Sequence, residues 1–448
     1  MSWSLDSLIR LPKLPTTATA PFCPSEVQGS IKIPAGGSFW TKLRIFLGPG
    51  LLVSVGYMDP GNWATDIEAG SKYGYSLLFV VALSSLAAML LQTICVRVGL
   101  VTGKDLAQLS RENFSPTVNF GMWLMAELAV IMTDVAEVLG AGLALHLLTG
   151  CSLEVGILVT ALDTFIVLGF KGRGFRQVEA IVLGLVTTIA LCYVAELFLI
   201  KPEWQAVWRG FFPDMTKLKG PEPWYIAIGI LGATVMPHNL YLHSSLVKTR
   251  LIGHSVAAKR EAIQLNGIDT TLSLTLAFAV NAAILILAGT AFHNPSLPPV
   301  SGIEDAYQLL TPMVGGSIAA LLFAIALLAS GQSATFTGTI AGQIVMEGFM
   351  KWKIPCWQRR LLTRALALAP ALAGVILLGD HSVNKMLVLS QVVLSLQLPF
   401  AIFPLLRFAS SQNLMGVLRI SGIMKFVGWT LFFIITTANI AMLIKQFY

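Results

Sequence analysis

From residue 45 to its end the chain alternates long apolar runs with short polar connections. Eleven apolar segments stand out, at roughly 45–69, 75–100, 117–148, 154–170, 177–200, 223–246, 268–292, 315–345, 362–379, 384–406 and 420–444. Most approach the ~20 apolar residues that a membrane-spanning helix needs. Two are interrupted. The first runs from Ile45 to Met58 and stops at Asp59-Pro60-Gly61-Asn62. The sixth runs from Tyr225 to Met236 and stops at Pro237-His238-Asn239. Non-helical backbone at membrane depth is tolerated only where protein buries it or where it lines a cavity. An ionisable group there is a functional-site candidate. A short loop after a buried hairpin helix would explain either break alone; two breaks of one kind argue against it.

The pattern predicts an all-α polytopic membrane protein of eleven transmembrane helices. Five spans per half, an odd number, invert the second half relative to the first. Paired breaks in corresponding positions of two such halves point to a transporter binding site. The expected architecture is a LeuT-like 5+5 inverted repeat with helices 1 and 6 interrupted. Repeat one covers about 45–200, repeat two about 223–406, and an extra helix about 420–444, all within one transporter domain, 42–448. Residues 1–41 are polar, carry Pro12, Pro15, Pro21, Pro24 and Pro34, and lack the apolar core of a signal peptide. They are expected to be a flexible cytoplasmic tail.

Composition agrees with a membrane protein. Of 448 residues, 55% are hydrophobic and 12% charged, about half the charged fraction of a soluble domain. The net charge of +7 is scattered between apolar runs, which argues topology and no nucleic-acid partner. With the N-terminus inside, 23 of the 30 Lys and Arg fall on inside connections and span ends, as the positive-inside rule requires. The expected setting is a cell membrane, the bacterial inner membrane, with the C-terminus outside. The connection 201–222, with Lys201, Arg209, Lys217 and Lys219, argues the other way. The five cysteines include no CxxC pair and indicate neither a disulfide framework nor a zinc site.

The breaks carry the chemistry. Unwinding a helix strips backbone groups of partners, at several kcal/mol each if nothing replaces them. A bound cation replaces them at carbonyls. Break one offers the Asp59 carboxylate, the Asn62 amide oxygen and backbone oxygen near Gly56. Break two offers backbone oxygen near Ala233 and the Met236 thioether. One carboxylate, neutral oxygens and one sulfur favour a divalent first-row ion such as Mn²⁺ or Fe²⁺ over Mg²⁺ and Ca²⁺. Helix packing is the plain reading of Met236.

His238 and His243 are five apart, ~140° around a helix, so HNLYLH is not a metalloprotease pair. His238 is placed as a proton carrier; for His243 a structural hydrogen bond serves equally. Segment three puts Glu127, Asp134 and Glu137 on one helix stripe. Glu127 lies near an end, where water is expected to reach it. Asp134 and Glu137 lie deeper and need a partner, for which Arg364 is the candidate. Glu179 and Glu196, near the ends of segment five, are expected to be solvated. Gln391 offers a further amide oxygen to the cation or an interhelical hydrogen bond. The small residues Ser330 to Thr335 are explained by close helix packing.

Taken together, DPGN at Asp59–Asn62, ATVMPHNLYLHS at Ala233–Ser244 and TDVAEVLGAG at Thr133–Gly142 resemble the Nramp (natural resistance-associated macrophage protein) family in its bacterial, MntH-like branch. The likeness covers about residues 40–446. It implies a proton-coupled importer of Mn²⁺, Fe²⁺ and related ions working by alternating access. By resemblance, Asp59, Asn62 and Met236 are side-chain metal ligands, with the carbonyls of Gly56 and Ala233 nearby and Gln391 joining in some conformations. The family often has Ala where this chain has Gly56. His238, Glu137, Asp134 and Arg364 match proton-pathway positions, with Glu127 and His243 as further members. Arg364 is preferred over Arg359 and Arg360 because it begins the ninth span. The alternatives are an amino-acid/cation symporter of the same architecture and an intramembrane metalloenzyme; the six scattered histidines argue against the enzyme. No cofactor is expected beyond the transported metal and co-transported protons. The expected partners are those ions and the lipid bilayer, with no obligate protein partner.

Overall fold

The computed structural model describes residues 28–447 except 34–36, 163–174, 215–219, 295–298, 301, 315–316, 353, 355 and 381. The expected tail before residue 28 and the fourth expected segment beyond Leu162 lie outside the described residues.

The chain is helical almost throughout. A short α1 (Phe39–Phe46) leads into α2 (Pro49–Gly56), α3 (Pro60–Tyr73), α4 (Leu78–Thr102), α5 (Leu106–Asn113), α6 (Pro116–Thr149) and α7 (Leu153–Thr160). Then come α8 (Phe175–Ile200), α9 (Trp204–Gly210), α10 (Pro221–Val235), α11 (Pro237–Leu246) and α12 (Val256–Ala291). The last part holds α13 (Ile303–Val314), α14 (Ser317–Met350), α15 (Cys356–Leu378), α16 (Ser382–Ser410), α17 (Gln412–Met415) and α18 (Gly422–Phe447). Among the described residues, nine helical stretches are long and apolar enough to cross a membrane, with α10 and α11 counted as one. Two expected segments are not among them. The first is divided into α2 and α3, too short singly. Of the fourth, only the part beginning with α7 is described.

The division of the first span follows from its residues. Gly48, at φ 148°, turns the chain after α1, and Pro49 opens α2, where its missing N–H removes nothing from the ladder. The Asp269 carboxylate of α12 accepts from the Gly48 and Gly50 amides at 3.3 and 2.7 Å. A cap that local sequence lacks is therefore supplied from another helix. α2 stops at Gly56, and α3 restarts at Pro60 with Asp59 as its N-cap, Oδ1 accepting from the Asn62 amide at 2.8 Å.

Around this span α3 packs on α12 and α10, α6 lies along α14, and α10 runs against α16. Trp63 is wholly buried, edge-on to Tyr193 at 5.1 Å and Phe323 at 5.2 Å, which fixes the C-terminal half of the span against α8 and α14. α10 approaches α16 so closely that a Cβ on Gly232 would lie 2.0 Å from the Gln391 carbonyl. On the periphery α18 packs on α16 and exposes Phe426, Phe433 and Ile434. Large apolar side chains facing outward are what a bilayer solvates.

The segment expected to be a loose tail carries structure at its end. β1 (Ile31–Lys32) pairs in parallel with β2 (Arg250–Leu251), Ile31 opposite Arg250. α1 starts at Phe39, inside the expected tail, and buries Leu43 and Phe46. Glu179 and Glu196 also depart from expectation, being buried at 4% and 0% exposure. Nearness to a helix end does not bring water where neighbouring helices cover it. Glu179 is enclosed by Arg176 and Arg250, at 2.9 and 2.8 Å.

Candidate metal site

The two breaks are built alike. In a helix, the carbonyl of residue i accepts from the N–H of residue i+4. Four residues beyond Gly56 is Pro60; four beyond Ala233 is Pro237. Proline has no N–H, so each of these carbonyls loses its helical donor. Proline also pushes the residue before it out of the α region. Asp59 has ψ 164° and Met236 φ 30°, ψ 106°. The two side chains expected to bind metal thus occupy the same place in the two breaks, each immediately before its proline. The positive φ of Met236 is an uncommon conformation for a residue with a Cβ, and the tightly packed surroundings hold it there at 0% exposure.

The breaks meet across the interior. Asn62 Nδ2 donates to Asp59 Oδ1 at 2.7 Å and to the Ala233 carbonyl at 3.0 Å. Carboxylate oxygen, amide and stripped carbonyl therefore lie round one point, joining residues 171 apart in sequence. Asp59 is fully buried, and its Oδ2 has no hydrogen-bond partner. Gln391 packs against Gly61, where a Cβ would lie 1.7 Å from Nε2. Its Nε2 donates to Ser390 Oγ at 3.0 Å, and its Oε1 has no partner. Other carbonyls freed by break one are answered by side chains. Asn281 donates to the Tyr57 carbonyl at 2.8 Å, and Trp63 Nε1 and Ser330 Oγ donate to that of Met58. Ser330, expected to serve close packing, thus also seals backbone.

Asn239 was missed by sequence reasoning. It stands two residues after Pro237, as Asn62 stands two after Pro60, and that register was the available signal. Its Nδ2 lies 3.7 Å from Met236 Sδ and 3.5 Å from the Val53 carbonyl in the last turn of α2, and its Oδ1 is buried without a partner. A Cβ on Gly56 would lie 2.4 Å from that Nδ2. Glycine at 56 is what admits the Asn239 amide.

The donor set around the breaks fits a divalent transition ion: one carboxylate, amide oxygens, one thioether and two carbonyls without helical donors. Hard oxygens alone would suit Mg²⁺ or Ca²⁺; the sulfur shifts preference toward softer ions.

The candidate proton groups leave this point on different helix faces. His238 Nδ1 pairs with Thr133 Oγ1 of α6 at 3.2 Å; His243 Nδ1 pairs with Gln92 Oε1 of α4 at 2.9 Å. Both are buried, and neither Nε2 has a partner. Gln92 in turn donates to the Tyr57 hydroxyl at 2.7 Å, so His243 is linked back to break one. Asp134 and Glu137 are buried on α6 facing Gly338 of α14, where a Cβ would lie 3.2 Å from Asp134 Oδ1 and 2.8 Å from Glu137 Oε1. Arg364 is buried and reaches the same helix one turn earlier, Nη2 donating to Thr335 Oγ1 at 3.3 Å. Glu127 was expected to be hydrated; instead it is 8% exposed and ion-paired with buried Arg359. α15 contributes two arginines to this stripe, where the sequence reading chose one.

Three comparisons bear on this arrangement. A protein 60% identical over 97% of this chain and 98% of its own length is the divalent metal cation transporter MntH of Ralstonia nicotianae. The manganese transporter of Eremococcus coleocola, solved with an aromatic bis-isothiourea compound, superposes with TM-score 0.87 at 37% identity over 93% of this chain and 90% of its own. MhsT, solved with L-phenylalanine, matches at TM-score 0.57 and 15% identity over 89% of this chain and 98% of its own; that likeness is one of fold, and it places the chain among LeuT-like architectures. The Nramp model, natural resistance-associated macrophage protein-like, matches residues 50–445, and the chain belongs to that family.

Proposed function

We propose that this protein carries Mn²⁺, Fe²⁺ and related divalent ions inward across a cell membrane together with protons, by alternating access. The observation that carries the reading is the junction of the two breaks. The Asn62 amide lies between Asp59 Oδ1 and the Ala233 carbonyl, beside a carboxylate oxygen with no partner. A dication entering there gains Asp59, Asn62, Met236 and the carbonyls of Gly56 and Ala233, with Gln391 close by. The related MntH and manganese transporters support metal as the cargo.

Protons leave by the buried groups on α11 and α6. His238 sits beside break two and bonds to Thr133, one residue before Asp134. Asp134, Glu137 and Arg364 then converge on α14, with Glu127 and Arg359 further along. Ionisable groups lined up through a span are the usual material of proton relays. Inward movement of each positive charge gains ~2.3 kcal/mol per 100 mV of inside-negative potential. The N-terminus is placed inside and the C-terminus outside.

The test is uptake into proteoliposomes holding the full chain, with metal and internal pH followed together. Mn²⁺ should accumulate and the interior acidify. Asp59→Ala should lower Mn²⁺ uptake at least a hundredfold, because it removes the one charged ligand. Amino-acid accumulation without metal movement would replace this reading with a symporter of another cargo.

A further inference from the structure

On the outer surface of the helix bundle, between α2, α8 and α12, lies a groove of about 470 Å³. Its floor is apolar: Leu51, Leu183, Leu272 and Leu276. Leu183 and Leu272 are 49% and 57% exposed, so they face lipid in a membrane. Its rim is cationic. Arg44 and Arg176 stand at the end where α2 and α8 begin. From that rim the three helices run together in the direction of their leucines, so charge lies at one end and oil at the other.

The acids at the rim are already satisfied. Glu179 is shared by Arg176 and Arg250 at 2.9 and 2.8 Å. Asp269 caps α2 through the Gly48 and Gly50 amides. The Arg176 guanidinium also donates to the Leu47 and Arg44 carbonyls, both at 2.7 Å. Arg44 is the surplus charge: its side chain is exposed at the rim, and its role in this network is through its carbonyl alone. The same short helix, α1, begins with Phe39 and Trp40, 52% and 71% exposed, Trp40 one turn before Arg44, while Leu43 and Phe46 further along are buried. Exposed aromatics beside basic residues are the signature of a helix lying in the membrane interface.

We propose that this groove holds one anionic phospholipid of the leaflet that contacts the N-terminal end of α2. The phosphate lies at Arg44 within the field of Arg176, and an acyl chain lies along the leucines. Guanidinium matches phosphate geometry, and basic pockets between transmembrane helices select acidic headgroups. Arg44 and Leu47 also supply carbonyls to Arg176, and Ile45 and Leu47 to Arg250. A bound headgroup therefore braces the residues that hold α2, the inner half of the broken span, in place.

Lipid retention by the purified full chain tests this without any metal or proton gradient, so it stands apart from the transport reading. Native mass spectrometry after exchange from mixed phosphatidylglycerol and phosphatidylcholine vesicles should show one retained lipid, predominantly phosphatidylglycerol. Arg44→Gln should weaken the preference for phosphatidylglycerol about fivefold, the effect of one basic side chain near an anionic surface. Leu272→Trp, which fills the groove from its exposed wall, should reduce retention of both lipids. Equal retention of the two lipids by the unaltered protein would overturn the proposal, as would no retained lipid or an unchanged preference in Arg44→Gln.

Discussion

At the scale of residues, the proposed metal site rests on two side chains that precede prolines. In that proposal Met236 supplies the sulfur, and truncating it should leave the oxygen ligands in place. Met236→Ala should therefore retain a measurable part of Mn²⁺ uptake and admit Ca²⁺ or Mg²⁺ as competitors, a change read by competition assays in proteoliposomes. Asn239 is held beside that sulfur only because residue 56 has no Cβ. Gly56→Ala should displace the amide and weaken Mn²⁺ binding roughly tenfold by titration calorimetry; an unchanged affinity would show that Asn239 plays no part. The place of Asp59, Asn62 and Met236 at the two breaks was legible in sequence because carboxylate, amide and thioether are conspicuous beside prolines that interrupt apolar runs. Asn239 was not, because an asparagine after Pro-His reads as an ordinary cap until its partner across the interior is seen.

At the scale of elements, the proposed proton route follows the seam between α6 and α14. Buried acids on α6 need room and a polar neighbour, and α14 answers with Gly338 and Thr335 while α15 adds Arg364 and Arg359. Asp134→Asn keeps the volume and removes the titration. Proton flux in Mn²⁺-loaded vesicles should fall by an order of magnitude or more, while Mn²⁺ affinity should change less than threefold; equal losses would detach Asp134 from the relay. The acid stripe on α6 was legible from its spacing. The pairing of Glu127 with Arg359 was not. Depth in a span is read from distance to the helix end, whereas exposure is set by what packs alongside, and α15 covers that end of α6. The same reason hid the burial of Glu179 and Glu196.

At the scale of the whole molecule, the N-terminal end of the broken span is clasped by groups from three distant parts of the chain. Arg176 and Arg250 donate to carbonyls at the end of α1, Glu179 joins them, and Asp269 caps α2. Arg250 is wholly buried, with side-chain exposure 0%. Glu179→Gln leaves that charge without its counterion, a loss typically of 3–5 kcal/mol for a buried pair. The variant should unfold at lower temperature, and a cysteine introduced as Leu47→Cys should react faster with a membrane-impermeant thiol reagent from the α1 side. Two inverted halves with a broken span each were visible in the hydropathy pattern. This clasp was not, since its members are single charges on two helices and a connecting strand whose proximity only the folded chain creates.

The Asn62 amide, lying between Asp59 and the Ala233 carbonyl, bears on how the proposed site would load. Its NH₂ offers two partial positive charges where a cargo ion would place two full ones. The amide thus stitches the two opposed half-helices together. Turning the amide end over would present its oxygen to a metal in place of its hydrogens, and would give up the bond that Asn281 Nδ2 donates to Asn62 Oδ1 at 3.3 Å. Loading would then be an exchange of one bridge for another, with no empty hole at any stage.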